Sequence, residues 1–414
     1  MKIAIITSGF LPVLDGVTIT GYSRLKELSR LGHQVKLFCP DYSKIANIYP
    51  DWQDYTGEIL PGVEVINLPS TPFFVEFERN VAWNGYQQLE AVLEQFKPDI
   101  IHVDEPERLF VGFWRIPGLR YARKHKIPCV GFFRTNFIEY LEDFFPLPKP
   151  LILSLQWLVR KLVLYVYNAY DLTLVTSKVT VAKIKKLGIN NAYYNSFLGL
   201  EIGHFDDCSS QPDFFQKKYH LPKLDNKTKL IFLGRLTPEK GWNFTLKALP
   251  QLVKEIGCEQ VAFLIVGDGE LKTKIAQTMA QYVPHFHLFG RIEPEVVPQL
   301  LFNSDLHVTT SEKETRGLTI LEAFTAGIPV LAPDSEGVTE NIESGTNGYL
   351  YQPGNQSDFI AKLKQLVTDH DLRKQMGQKG QAAIADRYTW QKAIANLLEV
   401  WQQQIDKYSS KPKH

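Results

Sequence analysis

The order of apolar runs along the chain is the strongest constraint on its fold. In the first half, strand-length runs such as KIAIIT, QVKLFC, DIIHV, PCVGFF and LTLVTS are separated by helical patterns. Continuous apolar runs of this kind are typical of parallel strands buried on both faces. After a polar stretch at 206–229 the pattern restarts with LIFLGR, VAFLIVGDG, HFHLFG, LHVTTS and IPVLAP, the final strand of the series. The sequence therefore predicts an α/β protein with two doubly wound, Rossmann-like parallel sheets.

A chain of 414 residues is too long for one hydrophobic core. We expect an N-terminal domain over residues 1–204 and a C-terminal domain over 205–387. A terminal amphipathic helix at 388–410 is expected to pack back on the first domain, followed by a disordered tail at 411–414. Because open α/β sheets bind ligands at the carboxyl ends of their strands, the two domains are expected to face a cleft lined by strand-to-helix loops.

Bulk properties exclude several functional classes. The formal net charge of +1 gives no global field for nucleic acid. The four cysteines lie far apart without a CxxC pair, which argues against a zinc site or a disulfide framework and favours a reducing cytosol. The first apolar run, KIAII, is too short for a signal peptide. We therefore expect a cytoplasmic protein.

Two loops carry residues suited to phosphate. SGFLPVLDGVTIT lacks the GxGxxG pattern of nicotinamide-binding domains, but Gly16 precedes a helix and would let a phosphate approach backbone amides. The alternative is a glycine required only by the turn. In LGRLTPEKGW, Gly234 delivers Arg235, and Lys240 follows at the next helix entrance. This pair suits a diphosphate, and the alternative is a solvated charge pair.

The segment SEKETRGLTILEAFTAGIPVLAP places Glu314 and Glu322 around the start of a helix at Gly317. Two helical glutamates eight residues apart would lie ~80° apart around the axis and ~12 Å apart along it. They cannot bind one atom together, but they could hold the two ends of an elongated ligand. An anion between them would be favoured by the helix N-terminus.

The motifs GRLTPEKG, VGDGE, LFGRI and the glutamate segment, with GFLPVLDGV, LGHQV and PDIIHVDEPE before them, resemble the family-four retaining glycosyltransferases. The resemblance spans nearly the whole chain. It implies the GT-B fold, a nucleotide-diphosphate sugar as donor, for which we expect a UDP-sugar, and no further cofactor. It also implies that the donor binds to the C-terminal domain and the acceptor to the N-terminal one.

The resemblance assigns roles residue by residue. It implies that Arg235 and Lys240 hold the donor diphosphate, that Glu322 binds the ribose, and that Glu314 binds the donor sugar. The remaining donor-binding positions that it implies are Gly16, Gly234, Arg291 and Ile292, and the backbone around Arg316, Gly317 and Leu318. The family has Pro-Phe after the first glutamate, whereas this chain has Thr315-Arg316. Front-side attack is implied, with the two cations stabilising the departing diphosphate.

No metal is expected. The DxD spelling Asp369-His370-Asp371 lies far from these loops, between helical patterns, and is interpreted as a solvated helix junction. At a second position the chain departs from the family, which has a histidine near the donor C6 where this chain has Arg134. Arg134 always carries a charge and only donates, so it could bind an acidic C6 group such as a uronic acid. The alternative is a protein ion pair with Asp104, Glu105 or Glu139.

The acceptor is suggested by aromatic-rich segments in the N-terminal domain. STPFFVEFERNVAWNGY and FFPLPKPLILSLQWLVRKLVLYVYNAY combine apolar residues with Lys149, Arg160 and Lys161. They fit an interfacial helix on anionic lipid at the cytoplasmic face of a membrane, and core packing is the alternative. The resemblance is nearest to glycerolipid glycosyltransferases such as sulfolipid and galactolipid synthases, which implies a glycerolipid or lipid-linked glycan acceptor.

Two other functions stay open from the sequence. A nucleotide-sugar epimerase of GT-B shape would need acid/base groups in the cleft, for which His102 and Glu314 are the candidates. A non-catalytic nucleotide-sugar-binding protein would retain Arg235 and Glu322 without transfer.

Overall fold

The computed structural model describes residues 1–73, 78–134, 148–200, 203–224, 226–314, 316–384 and 388–410. The predicted tail at 411–414 lies outside them. The described residues form two compact units. The first contains residues up to 199 together with 389–410, and the second contains residues 200–388.

The first unit is built on an eight-stranded sheet of order β10-β9-β8-β7-β1-β2-β4-β3. All neighbours are parallel except the edge pair β3 and β4. A small hairpin, β5-β6, lies beside it. The strands are β1 (Lys2–Ile6), β2 (Gln34–Pro40), β3 (Gly57–Leu60), β4 (Val63–Leu68), β5 (Ser70–Pro72), β6 (Arg79–Val81), β7 (Ile100–Asp104), β8 (Cys129–Phe133), β9 (Leu172–Val175) and β10 (Ala192–Tyr194).

The helices of the first unit are α1 (Gly16–Arg30), α2 (Gly85–Phe96), α3 (Pro106–Phe113), α4 (Leu119–His125), α5 (Lys149–Tyr167), α6 (Lys178–Leu187) and, from the far end of the chain, α16 (Trp390–Ser409). Helix α16 is integral to this unit because Trp401 is fully buried, with its ring 5.3 Å from that of His102. The Asn396 side chain also donates to the Ser196 carbonyl at 2.9 Å.

The second unit has six strands in the order β13-β12-β11-β14-β15-β16, all parallel. They are β11 (Thr228–Leu233), β12 (Val261–Val266), β13 (Phe286–Gly290), β14 (Leu306–Val308), β15 (Val330–Pro333) and β16 (Gly348–Tyr351). The prediction that β15 is the final strand was wrong. Strand β16 has only four residues, two of them partly exposed, so it lacks the continuous apolar run of the buried strands.

The helices of the second unit are α7 (Gly203–Asp206), α8 (Phe214–Tyr219), α9 (Trp242–Ile256), α10 (Lys272–Tyr282), α11 (Val297–Phe302), α12 (Leu318–Thr325), α13 (Glu336–Thr339), α14 (Gln356–Thr368) and α15 (His370–Ile384). Apolar clusters cover both faces of the sheet. Asp369 ends α14 and His370 begins α15, and the His370 and Asp371 side chains are exposed. The DxD spelling is therefore a solvated helix junction, as predicted.

Candidate active site

The first element of the site is the loop after β11. Gly234, at φ 137°, follows the strand and delivers Arg235. The Arg235 guanidinium lies 3.2 Å from the buried Glu239 carboxylate, which also accepts from the Thr237 hydroxyl at 2.5 Å. The tip of the arginine side chain is thus held by a carboxylate from the same loop. Lys240 ends the 3-10 turn Pro238–Lys240.

Gly241 allows the loop after β11 to pack closely on the loop that follows β14. Its φ of 78° is left-handed, and a Cβ there would lie 2.0 Å from the Thr310 carbonyl oxygen. The Thr310 hydroxyl donates to the Lys240 carbonyl at 3.2 Å and lies 2.8 Å from the Thr245 hydroxyl. Only glycine permits this approach, so the close contact between the two loops depends on Gly241.

The close approach joins three residues that the sequence singled out separately. The Lys240 ammonium lies 2.6 Å from the Glu314 carboxylate, and a small pocket is lined by Arg235, Lys240 and Glu314 together. Burial by itself would raise the pKa of Glu314. The charge and hydrogen bond of Lys240, aided by Ser311 and Arg235, outweigh burial and hold that pKa below its ordinary value. The site therefore contains two cations around one ionised carboxylate.

The second glutamate lies on the helix that follows. Gly317, at φ 66°, caps α12, which begins at Leu318, and Glu322 lies in its second turn. The prediction that both glutamates are helical was wrong, because the left-handed Gly317 ends the loop before the helix starts and leaves Glu314 in that loop. Burial raises the pKa of the half-buried Glu322 to about 7. Within the described part of the chain, its carboxylate has no hydrogen-bond or ion-pair partner.

A histidine that the sequence interpretation passed over lies beneath these loops. His307 in β14 is fully buried, with one ring nitrogen 3.0 Å from the Ile231 carbonyl and the other 3.2 Å from the Thr319 hydroxyl. Burial lowers its pKa to about 4, so the ring is neutral at physiological pH. It links the sheet to the first turn of α12. The only signal in the sequence was a histidine between the leucine and the valine of LHVTTS.

Arg316 lies in the loop before α12, with its side chain held by protein groups. Its guanidinium is 3.2 Å from the Glu340 carboxylate and 4.9 Å from the centre of the Tyr388 ring. Asn341 donates to the Arg316 carbonyl at 2.7 Å. These contacts hold the side chain and the carbonyl group of Arg316 in place. The adjacent Thr315 lies outside the described residues.

Three glycines allow the ends of neighbouring strands to pack closely and to hydrogen-bond to one another. Gly234 donates to the Val266 carbonyl at 3.0 Å, and Gly267 donates to the Gly290 carbonyl at 2.8 Å. A Cβ on Gly267 would lie 1.9 Å from the Gly234 carbonyl oxygen. Because Arg291 and Ile292 directly follow Gly290, they lie at the same edge of the sheet as the Arg235 loop.

In the first unit, Gly16 is the first residue of α1. The Asp15 carboxylate caps that helix, accepting from the Val17 and Thr18 amides at 2.8 and 2.9 Å. The Arg134 guanidinium donates to the Gly16 carbonyl at 3.1 Å and to the Thr20 hydroxyl. Two N-terminal amides of α1 are therefore satisfied by the protein itself.

Arg134 belongs to a buried charge cluster. Its side chain is only 6% exposed, lies 3.9 Å from the Asp104 carboxylate and stacks 4.9 Å from the Phe132 ring centre. Arg24 also pairs with Asp104. Burial would raise the pKa of Asp104, but Arg24, His102 and Arg134 hold it well below its ordinary range. Among the alternatives raised from the sequence, the Asp104 pair is present in the structure, while Glu139 lies outside the described residues.

His102 is a core residue. It is fully buried between the Phe132 and Trp401 rings, with centroid distances of 5.4 and 5.3 Å. Burial, followed by the charge of Arg24, lowers its pKa to about 4. This environment gives no support to an acid/base role in an epimerase.

Comparison with known proteins identifies the class. Residues 14–193 match the family profile described as Glycosyltransferase Family 4, and residues 213–383 match the one described as Glycosyl transferases group 1. The solved structure of HepE from Anabaena in complex with UDP and glucose has a TM-score of 0.71 and 17% identity, covering 97% of this chain and 100% of that one. Two parallel sheets and these matches define a glycosyltransferase of GT-B fold.

The chain belongs to glycosyltransferase family 4, as a retaining hexosyltransferase that uses a nucleotide-sugar donor. It is 27% identical over 74% of its length to the sulfoquinovosyl transferase SQD2 of Arabidopsis thaliana, of which the match covers 56%. It is 25% identical to the alpha-monoglucosyldiacylglycerol synthase of Streptococcus pneumoniae, covering 90% of this chain and 80% of that protein. A GDP-mannose-dependent alpha-mannosyltransferase of Mycobacterium tuberculosis is 25% identical over 86% of this chain and 84% of its own.

Proposed function

We propose that this protein transfers a neutral hexose from a UDP-sugar to a membrane glycerolipid, with retention at the anomeric carbon. The observation that carries the proposal is the convergence of Arg235, Lys240 and Glu314 within one pocket, at the entrance to the helix that bears Glu322. The donor would lie along this edge of the second unit, with its ribose at Glu322 and its sugar at Glu314.

The reaction needs stabilisation of negative charge on the leaving diphosphate. Arg235 and Lys240 are the two cations that line the pocket, and they can stabilise this charge without a metal ion. The Glu314 carboxylate lies 2.6 Å from the Lys240 ammonium. Diphosphate binding would draw Lys240 away from that partner, which leaves the Glu314 carboxylate to accept hydrogen bonds from sugar hydroxyls.

The donor base and sugar are inferred from two observations. HepE, a neighbour in fold, was solved with UDP and glucose, which supports uridine, while the GDP-mannose-dependent relative makes guanosine the competing base. The pairing of Arg134 with Asp104 supports a sugar without an acidic C6 group, because the guanidinium is already engaged by protein oxygens.

The acceptor is inferred from a relative whose name designates it a synthase of a glucosyldiacylglycerol. We assign diacylglycerol or its monoglycosyl derivative to the first unit.

Thermal shift with UDP, GDP and their hexose conjugates tests the donor. A ligand at a hundredfold excess over Kd stabilises by ~2.7 kcal/mol, enough to rank the nucleotides. Transfer is then measured with the best donor and with vesicles carrying diacylglycerol or monoglycosyldiacylglycerol, using water-soluble glycans as the matched acceptor control. Preference for GDP contradicts the donor proposal. Transfer to the soluble glycans alone contradicts the acceptor proposal, and a donor that binds but is neither transferred nor slowly hydrolysed identifies a non-catalytic binding protein.

A further inference from the structure

Helix α5 exposes an apolar face where a surface helix ordinarily exposes a polar one. Its large apolar side chains include Trp157 and Leu158, 61% and 60% exposed. The others are Leu151, Leu153 and Tyr165. At ~100° per residue these five positions share roughly half of the helix circumference. An exposed apolar patch of this kind marks an interaction surface.

The opposite side of α5 is anchored in the first unit. Val163 and Tyr167 are buried against Phe133, Val175 and Ile184. By length and composition α5 is the one helix in the described ranges that could cross a membrane, with a mean hydropathy of 1.2. Its anchored face and the exposed Arg160 and Lys161 near its middle favour a helix that lies along a surface.

Neighbouring elements extend the patch. The Tyr165 ring contacts that of Phe110 in α3, with centroids 6.1 Å apart. Helix α3 also exposes Val111 and is followed by Trp114, which is 75% exposed. Gly112 of α3 packs on the Val81 carbonyl at the end of β6, two residues before the exposed Trp83. Exposed tryptophans beside aliphatic residues are typical of a membrane interface.

The charge on α5 and α6 is of one sign. Helices α5 and α6 together contain no acidic residue and seven basic ones, namely Lys149, Arg160, Lys161, Lys178, Lys183, Lys185 and Lys186. The two helices are adjacent because Arg160 donates to the Leu187 carbonyl at 3.2 Å. The chain as a whole has 46 basic and 45 acidic residues, so this is a local concentration of positive charge.

We propose that α5, α6, Trp83, Val111 and Trp114 form a docking surface for an anionic lipid bilayer, called the lipid face below. Its apolar residues enter the acyl boundary, while its lysines contact anionic headgroups. Lys161, 5.7 Å from the Trp157 ring centre, lies at the junction of these two layers. The inference goes beyond the proposed acceptor, because docking requires neither donor nor acceptor.

The test is vesicle co-sedimentation of the full chain without nucleotide sugar. Phosphatidylcholine vesicles containing phosphatidylglycerol are compared with pure phosphatidylcholine. We expect binding to the anionic vesicles, weakened about tenfold or more by Trp157→Ser/Leu158→Ser and likewise by Lys185→Glu/Lys186→Glu. The matched controls, Tyr282→Ser and Lys374→Glu/Lys379→Glu, change exposed residues of the second unit and should bind like the unmodified protein.

Circular dichroism and thermal melting verify that each variant is folded. Equal binding to neutral and anionic vesicles, or lipid-face variants that bind like their controls, would overturn the proposal. So would a concentration-dependent dimer that Trp157→Ser/Leu158→Ser abolishes in a protein that does not bind vesicles, since a second copy would then be the occupant. Lipid-face variants that lose vesicle binding but still transfer sugar to a dispersed short-chain glyceride would support the proposal, and would show that membrane docking is separate from the proposed acceptor chemistry.

Discussion

Replacing Glu322 by Gln tests whether this half-buried carboxylate binds the nucleotide. Burial raises its pKa from the ordinary 4.5 to about 7. When the pKa of an acid is higher in the folded chain than in the unfolded chain, ionisation of that acid destabilises the folded protein. The cost therefore develops as pH rises from about 4.5 to 7 and is constant above that.

The magnitude follows from the same two values. Their difference, at 1.36 kcal/mol for each pH unit, corresponds to at most about 3–4 kcal/mol of unfolding free energy. Glu322→Gln should match the original protein at about pH 4.5 and exceed its stability by up to that amount at about pH 8. Denaturant titrations of both proteins across this range measure the difference. A stability difference that does not change with pH would refute the reasoning.

Ligand binding provides the second readout of the same change. Ribose hydroxyls donate to a carboxylate, so the ionised form of Glu322 is the one expected to bind. The UDP dissociation constant should then rise about tenfold for each pH unit below the pKa of about 7. The terminal phosphate of UDP also changes its protonation in this pH range. Because Glu322→Gln has no carboxylate to titrate, the pH dependence of its UDP affinity measures the phosphate contribution alone. If both proteins show one pH profile, Glu322 does not face the ribose.

The remaining predictions concern the other charged residues of the site. Arg235→Ala or Lys240→Ala should each lower kcat about 10²–10³-fold while the protein stays folded, whereas the exposed Lys247→Ala should not; normal turnover in either site variant would contradict the diphosphate role. Glu314→Gln should preserve or strengthen the binding of free UDP, because it releases Lys240, and it should impair turnover of the nucleotide sugar. Calorimetry measures the first effect and kinetics the second. Equal losses in UDP binding and in turnover would contradict the assignment of Glu314 to the donor sugar. Arg134→His should lower thermal stability and leave the kcat/KM ratio for a UDP-hexose and a UDP-uronic acid unchanged. A tenfold shift of that ratio toward the neutral donor would instead indicate that Arg134 contacts the donor sugar directly. Activity should persist after treatment with a chelator, and full dependence on added Mg²⁺ or Mn²⁺ would refute the metal-independent mechanism.

The buried strands of both sheets were predictable because each is a continuous apolar run, as in β1, β11 and β12. The predicted runs did not include β3, β4, β5, β6, β10 and β16. Strands β3, β10 and β16 lie at sheet edges, β5 and β6 form a separate hairpin, and β4 has an alternating, partly exposed sequence, so none of them combines strand length with a continuous apolar run. The motifs identified Arg235, Lys240, Glu314 and Glu322, but not how they are arranged. Their arrangement depends on long-range contacts such as Gly241 on Thr310, which no local pattern encodes.

The contact partner of Arg134 also could not be predicted from the sequence. Its departure from the family's histidine was visible in the sequence, whereas its partner could not be chosen among three carboxylates. The choice depends on Asp104 ending β7 next to β8, together with a second arginine, Arg24, from α1. Sequence position thus identified an unusual residue, and the packing of three separate elements determined what it contacts.

Helix α16 has a consequence for how the protein is made. The first unit is complete only when Trp401 reaches His102, yet the whole second unit is synthesised between them. At ribosomal rates of about 5–20 residues per second, residues 200–388 take roughly ten to forty seconds to emerge. During that interval the nascent first unit has an apolar gap where α16 belongs. Chaperones that bind exposed apolar surface would therefore engage the amino-terminal half, even though it leaves the ribosome first.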